Sequence, residues 1–184
     1  PKTSSAASDV YKRQPLKCNP IESNQSIMTQ TKVIGESVKR TDRNFVKAYT
    51  DDYAKAITEN YRQYHINTLQ GNLSGNYPEY AREQLDAIEN GTANLMWFKV
   101  YSGKRYYKIV QQEFETWEKS KYYGQYRDSS VHSFVDKETG EVYKPAGWAK
   151  PAKHVRFDMR DVKQLRFLLN PKNVDWAGGY IYLR

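Results

Sequence analysis

Apolar and aromatic residues recur every three or four positions between residues 41 and 66, which predicts one long amphipathic helix. Thr41 or Asp42 can cap its first turn by accepting free amide hydrogens. A ladder of tyrosines could offer a stacking platform for bases, but a stripe that faces the core is the simpler interpretation. The stripe consists of Phe45, Tyr49, Tyr53, Ile57, Tyr61 and Tyr64.

A second, shorter helix is predicted from Pro78 to Asn90, after a glycine- and asparagine-rich loop over residues 71–76. Proline suits the first helical position, since its missing amide hydrogen would be unpaired there anyway. Gly91 can adopt the left-handed conformation that ends a helix. The predicted buried face is Ala81, Leu85 and Ile88.

Two hairpins follow in the sequence. Residues 95–101 and 105–112 are dense in aromatic and β-branched residues and flank a Ser-Gly turn. Residues 130–135 and 141–144 flank a second turn, in which Gly140 supplies the positive φ of a G1 bulge. Residues 113–130 are ambiguous: they could form a short helix around Phe114 and Trp117, followed by a tyrosine-rich loop.

The segment 145–153 is predicted to be an ordered loop anchored by Trp148, because its two prolines cannot donate to a central ladder. Asp158 is expected to cap a further helix, with Asp161 at its third position. The face of this helix would be Met159, Val162, Leu165, Leu168 and Leu169, ahead of a stop at Asn170-Pro171.

Residues 180–183 are expected to form a short closing strand. The predicted fold class is therefore α+β: N-terminal helices packed on an antiparallel sheet of hairpins, with a further C-terminal helix.

Composition supports a folded chain, because 16 Tyr and 4 Trp are far more aromatic residues than disordered chains contain. No run approaches the roughly 18 apolar residues of a membrane span, and none resembles a secretory signal. Cys18 is the only cysteine, which excludes an intramolecular disulfide and favours a reducing compartment. We therefore expect an intracellular location.

Residues 1–27 lack any helical or strand period. Within them, residues 4–14 resemble a peptide that recurs at the ends of unrelated metagenomic translations, where it is a read-through of sequencing adapter. The alternative is a disordered native tail. Met28 is then the first start codon, with a flexible N-terminus over 28–40 and one α+β domain over 41–184.

Basic residues concentrate between residues 142 and 172, where eight lysines and arginines face only Asp158 and Asp161. Lysine and arginine interleaved with aromatic residues are typical of nucleic-acid binding, with Trp148 or Phe157 stacking on bases. Alternatively, this charge faces an acidic patch or an acidic partner protein. The candidate nucleic-acid contacts are Lys144, Trp148, Lys150, Lys153, Arg156, Phe157 and Arg160.

The sequence contains no phosphate-binding loop, dinucleotide fingerprint or nucleophile elbow, so no cofactor is predicted and an enzyme is not favoured. His132 and Asp136 lie four apart on a predicted strand and are expected on one face, with Glu141 near them. Such a group could bind a metal or act as acid and base. The alternative is a hydrogen-bonded structural histidine.

The block 130–148 resembles a segment of small uncharacterised proteins of marine tailed phages. The shared pattern is Ser-Val-His-x-Phe, an acidic Thr-Gly turn, Pro-Ala-x-Trp and a second Pro-Ala pair, here Pro151-Ala152. Val155-Arg156-Phe157 and Gly178-Gly179-Tyr180 extend the resemblance through the last third of the chain. It implies a viral gene from a marine metagenome, with a location in the host cytoplasm or in a virion, and it implies no particular activity.

Two functions are therefore predicted. The first is a phage accessory or virion-associated protein that binds a phage or host protein through its sheet and aromatic loop. The alternative is a nucleic-acid-binding protein that uses residues 142–172. Neither hypothesis involves a membrane.

A chain shortened to begin at Met28 should melt within a few degrees of the full chain, because the folded structure is predicted to begin near Thr41. A thermal melt followed by circular dichroism checks this. A large loss of melting temperature would show that residues 1–27 contribute to the fold.

Overall fold

The computed structural model describes residues 43–182. Two helices, α1 (Arg43–Asn72) and α2 (Pro78–Glu89), precede five strands. The strands are β1 (Trp97–Ser102), β2 (Tyr106–Phe114), β3 (Tyr126–Asp136), β4 (Glu141–Pro145) and β5 (Pro151–Asp158). Helix α3 (Val162–Leu168) and a 3-10 turn (Gly179–Ile181) complete the described chain. The α+β prediction is confirmed.

The five strands form one antiparallel sheet in the order of the sequence. Both predicted hairpins are present: Val100 lies opposite Ile109 in the first, and Val135 lies opposite Val142 in the second. Gly140 has the positive φ that its turn requires, 72°.

The main core lies between one face of the sheet and helices α1 and α3. Helix α1 contributes Val46, Tyr53 and Ile57, all fully buried, and α3 contributes Leu165 and Leu168. Each such aliphatic side chain contributes about 1.5–3 kcal/mol when it leaves water. The sheet supplies Phe98, Tyr107, Ile109, Val135 and Val142 to the same core.

The tyrosine stripe of α1 faces this core, as its helical spacing predicted. Tyr53 is fully buried and Tyr61 packs partly buried, whereas Tyr64 is 52% exposed. The helix also runs past residue 66 into the predicted loop, since Leu69 packs in a second small core with Ala81 and Ile88 of α2. Tertiary packing thus extends the helix beyond residue 66, where the apolar repeat of the sequence ends.

Two segments in the second half of the chain differ from the elements considered for them. Residues 113–118 form no helix, because β2 continues to Phe114 and turns lead to β3. The segment 145–153 is only partly a loop, because Pro151 begins strand β5. The two prolines, Pro145 and Pro151, lie opposite each other at strand ends, where the missing donor costs little.

The helix cap and the last element also differ from prediction. Asp161, and not Asp158, caps α3 and accepts hydrogen bonds from the amides of Lys163 and Gln164. Asp158 ends β5 and binds Arg160 instead. Residues 179–181 form a 3-10 turn in place of the expected strand, after Gly178 at a φ of 77°. The proposed cap at Thr41 or Asp42 lies outside the described residues.

The Gly140→Ala substitution should destabilise the protein by about 1–2 kcal/mol, because alanine is strained at positive φ. The matched control is Gly71→Ala, which places a methyl group in open space within α1 and should stabilise by about 0.5–1 kcal/mol. Urea unfolding measures both. Equal effects of the two substitutions would contradict the turn geometry.

Candidate nucleic-acid interface

The sheet face opposite the helices forms an aromatic surface, called here the open face. Strand residues alternate between faces, so the neighbours of the core residues point away from the helices. One cross-strand row runs over four strands, with Tyr101 opposite Lys108, Lys108 opposite Phe134, and Phe134 opposite Tyr143. The other open-face residues of this surface are Trp97, Lys99, Tyr106, Phe114, Tyr126 and Asp128.

The aromatic rings of the open face pack against one another in two groups. Near the β3–β4 turn, the Tyr106 ring meets Phe134 and Tyr143 edge-on, with centroids 6.1 and 6.0 Å away. Toward the other end, Trp97 meets Tyr126 at 6.2 Å. These contacts hold the rings in fixed orientations.

Cations lie on these rings. The ammonium of Lys108 lies 4.5 Å from the centre of the Trp148 ring and 5.9 Å from that of Tyr101. Lys99 lies 4.8 Å from the Tyr101 ring, and the Arg105 guanidinium lies 5.1 Å from Tyr106. Such cation–π contacts contribute about 0.5–1 kcal/mol each at exposed sites. The open face therefore combines ring surfaces with positive charge.

A cleft of about 410 Å³ opens on this face between the β1–β2 turn and Trp148 of the β4–β5 loop. Lys104, Arg105 and Lys108 line it together with one carboxylate, that of Asp128. Arg105 also binds Asp136 at 2.8 Å. The cleft walls further include Tyr101, Ser102, Gly103, Tyr106, Phe134 and Ala149.

Asp128 is fixed at the cleft by two neighbours. Its Oδ1 accepts hydrogen bonds from the hydroxyl of Tyr101, at 2.8 Å, and from the side-chain amide of Gln112. Desolvation alone would raise the pKa of the Asp128 carboxyl, but these bonds and the nearby lysines outweigh it. The pKa of Asp128 is therefore held below its ordinary value, and the group is ionised at neutral pH.

Of the predicted contacts, three stay exposed near the cleft or along the edge strand. Trp148 is 47% exposed at the cleft, and Lys150 and Lys153 are exposed at the end of the loop and in β5. These residues remain candidates for a nucleic-acid interface.

The other predicted contacts are engaged within the fold. Phe157 stacks on Phe167 in the core, and Arg156 donates to the carbonyl of Ile181 at 2.8 Å. The remaining two are also partnered: Arg160 pairs with Asp158 and Glu141, and Lys144 lies 3.6 Å from the centre of the Tyr182 ring. Several of the basic side chains of residues 142–172 are thus held in contacts within the fold.

Sequence reasoning missed the contributors to the open face and its cleft from β1, β2, the turn between them and β3, namely Lys99, Tyr101, Lys104, Lys108 and Asp128. The signal was the alternation of residues 97–101, in which Trp97, Lys99 and Tyr101 share one face. Their common surface with Trp148 depends on the strand order, which pairs β1 with β2 and brings the β4–β5 loop over β2.

His132 and Asp136 were predicted on one face of a strand, and this was wrong. Val131 and Ser133 pair with adjacent residues of β2, so His132 is the extra residue of a bulge. The bulge turns the imidazole toward the helices, 5.4 Å from the Phe98 ring. Asp136 instead binds Arg105 and the amides of its own turn.

The histidine has the contacts of a structural residue. Its Nε2 lies 3.2 Å from the carbonyl oxygen of Asp175, and its Nδ1 lies 3.2 Å from the hydroxyl of Ser133. Burial lowers the pKa of His132 to about 4, against weaker opposition from Asp175. The ring is therefore neutral near pH 7.

Within residues 43–182, no three or more His, Cys, Asp or Glu side chains are grouped so that they could hold a metal ion. The helices of this region include none with the length and apolar character needed to cross a bilayer.

The fold defines a two-layer α+β protein whose sheet carries helices on one face and aromatic residues with cations on the other. The chain belongs to DUF7717, a family of unknown function, whose model matches residues 31–183. No curated protein matches the chain, and no solved structure does. The resemblance to marine tailed-phage proteins stays a prediction.

The stability of the protein should fall by up to about 3 kcal/mol between pH 6.5 and pH 4 because of His132. Its folded-state pKa lies below that of the unfolded chain, so the unfolded chain binds the extra proton in this window. Below pH 4 both states are protonated and the loss stops. Urea unfolding of the wild type and of His132→Gln across this range measures the difference between them.

His154→Gln, which replaces an exposed histidine of β5 in the same way, is the matched control substitution. If wild type and His132→Gln differ by the same free energy at every pH, the neutral buried imidazole is refuted.

Proposed function

We propose that this protein binds single-stranded nucleic acid on its open face. The observation that carries the proposal is the half-exposed Trp148 ring at a basic cleft, beside Lys108 and Tyr101. Stacking of a base on an aromatic ring contributes about 1–3 kcal/mol and tolerates any base.

The shape of this surface favours single strands over duplexes. The exposed rings, Trp97 and Tyr126 on the open face and Trp148 at the cleft, offer flat surfaces on which unstacked bases can lie, as in other proteins that bind single strands on a sheet. The bases of a duplex are stacked on each other, so exposed rings on a broad sheet cannot reach their faces. Helices α1 and α3 pack on the opposite side of the sheet, away from the open face.

The charge of the open face favours nucleic acid over a protein partner. Three cations and one carboxylate line the cleft, and Lys99 lies beside it. Lysine is depleted at the centres of protein interfaces, whereas phosphates attract it. The chain as a whole also carries a net charge of +8.

A second candidate function is contact with a phage or host protein through the β2–β3 loop, residues 115–125. This loop exposes Trp117, Tyr122 and Tyr123 to 63, 42 and 53%. Exposed tyrosine and tryptophan on a loop with serine and glycine are typical of protein-binding surfaces. The loop has as many basic as acidic residues, so it lacks the charge that favours nucleic acid.

The Trp148→Ala substitution should weaken binding of a fluorescein-labelled single-stranded 12-mer by about 5- to 150-fold, the equivalent of one lost stacking contact. Trp117→Ala removes a still more exposed ring from the β2–β3 loop and should leave this affinity unchanged. Fluorescence anisotropy at several salt concentrations measures both variants. Thermal melts confirm that each is folded.

Salt supplies an independent readout. Lys104→Gln, at a cation that lines the cleft, should reduce the slope of log affinity against log salt by about 0.7, the value for one phosphate contact to a single strand. Absence of binding at low salt would overturn the proposed function. Equal losses for the Trp148 and Trp117 variants would move the contact surface away from the cleft.

A further inference from the structure

We infer that the cleft selects guanine among the bases of a bound single strand, with Asp128 and Lys108 reading its Watson–Crick edge. This inference rests on the proposed function and adds a base preference to it. It starts from the one carboxylate in an otherwise basic cleft.

A carboxylate at this position needs a reason, because it weakens the attraction of the cleft for phosphate. Within the described residues, the carboxylate of Asp128 forms no direct ion pair with Lys104, Arg105 or Lys108. Its described contacts are hydrogen bonds from Tyr101 and Gln112. Both of these bonds end on Oδ1. Oδ2 takes part in neither bond, so its lone pairs can accept hydrogen bonds from a ligand.

Lys108 supplies the complementary group. It lines the same cleft, its positive charge acts on Asp128, and its ammonium lies 4.5 Å from the centre of the Trp148 ring. A base stacked on Trp148 would therefore meet one cationic donor and one anionic acceptor. This pair of groups defines which base edge is favoured.

Guanine fits this pair better than the other bases. Its edge presents the O6 acceptor next to the N1–H and N2–H donors, so O6 can accept from Lys108 while both donors reach the carboxylate. Adenine and cytosine present one amino group beside an acceptor nitrogen, which a carboxylate repels. Thymine and uracil flank their single N–H with two carbonyls.

The hydrogen bonds to Oδ1 keep the carboxylate in place before any ligand arrives. Tyr101 and Gln112 belong to β1 and β2, and Asp128 to β3, so three strands fix one acceptor. A preorganised acceptor loses little conformational freedom on binding, which increases the contribution of each new hydrogen bond.

The test uses single-stranded 12-mers of thymidine with one central position replaced by G, A, C or inosine. The G oligonucleotide should bind about tenfold tighter than the all-T strand, the equivalent of one good base-edge contact. Inosine lacks the N2 amino group and should bind about threefold weaker than G. 7-Deazaguanine alters only the opposite edge and should equal G.

The matched protein variant is Asp128→Asn. Asparagine keeps an acceptor oxygen for Tyr101 and Gln112 but replaces the other oxygen with a donor, so the preference for G over T should fall to within about twofold. Binding of the all-T strand should persist. Asp86→Asn, on the exposed side of α2, is the control and should keep the full preference.

The outcomes separate this inference from the proposed function. Equal affinity for all bases, with binding retained, overturns the guanine preference and leaves single-strand binding intact. A preference that survives Asp128→Asn, or that is lost with 7-deazaguanine, overturns the assignment to this carboxylate and this edge. Loss of all binding overturns both proposals together.

Discussion

The packing of α1 against the sheet determines which side of every strand remains available for function. Tyr53 and Ile57 are fully buried against the sheet, and Tyr107 and Ile109 meet them from β2. Because strand residues alternate, burial of this set commits the intervening residues, Tyr106 and the other open-face residues, to the opposite side. A slip of one residue would exchange the two sets.

Tyrosine serves both layers of this protein because it combines a large apolar ring with a polar tip. Inside, the buried hydroxyl of Tyr53 is paired with that of Tyr180 near the C-terminal end of the described chain. Outside, the Tyr101 ring faces lysines while its hydroxyl binds Asp128. A chain with few aliphatic residues thereby builds both a core and a surface from aromatic ones.

Polar contacts of Asn60 hold the C-terminal segment against helix α1. The side-chain amide of Asn60 donates to the carbonyl of Pro171, and its oxygen accepts from the amide of Trp176, both at 2.9 Å. The neutral His132 completes the closure through the carbonyl of Asp175. Satisfied buried polar groups of this kind specify one arrangement, since any other leaves them unpaired.

The charge pattern shows how far a linear count can differ from a surface. Residues 142–172 hold the excess of basic residues in the sequence, yet Arg156 and Arg160 are used in internal contacts. The cleft draws its cations from the β1–β2 turn, which supplies Lys104 and Arg105, and from Lys108 of β2. Folding therefore combines Trp148 from the basic segment with cations from the β1–β2 hairpin, a second basic stretch in which four lysines and arginines are opposed only by Glu113.

The sequence by itself determined the features that depend on neighbours along the chain. The stripe of α1, the stop at Gly91 and the turn at Gly140 were predictable, because helical period and positive φ are local properties. Only the tertiary structure decided the bulge that turns His132 inward, the strand that begins at Pro151, and the capping of α3 by Asp161. It also decided that Tyr101, Asp128 and Trp148 share one cleft, because that neighbourhood depends on strand order and register between segments far apart in sequence.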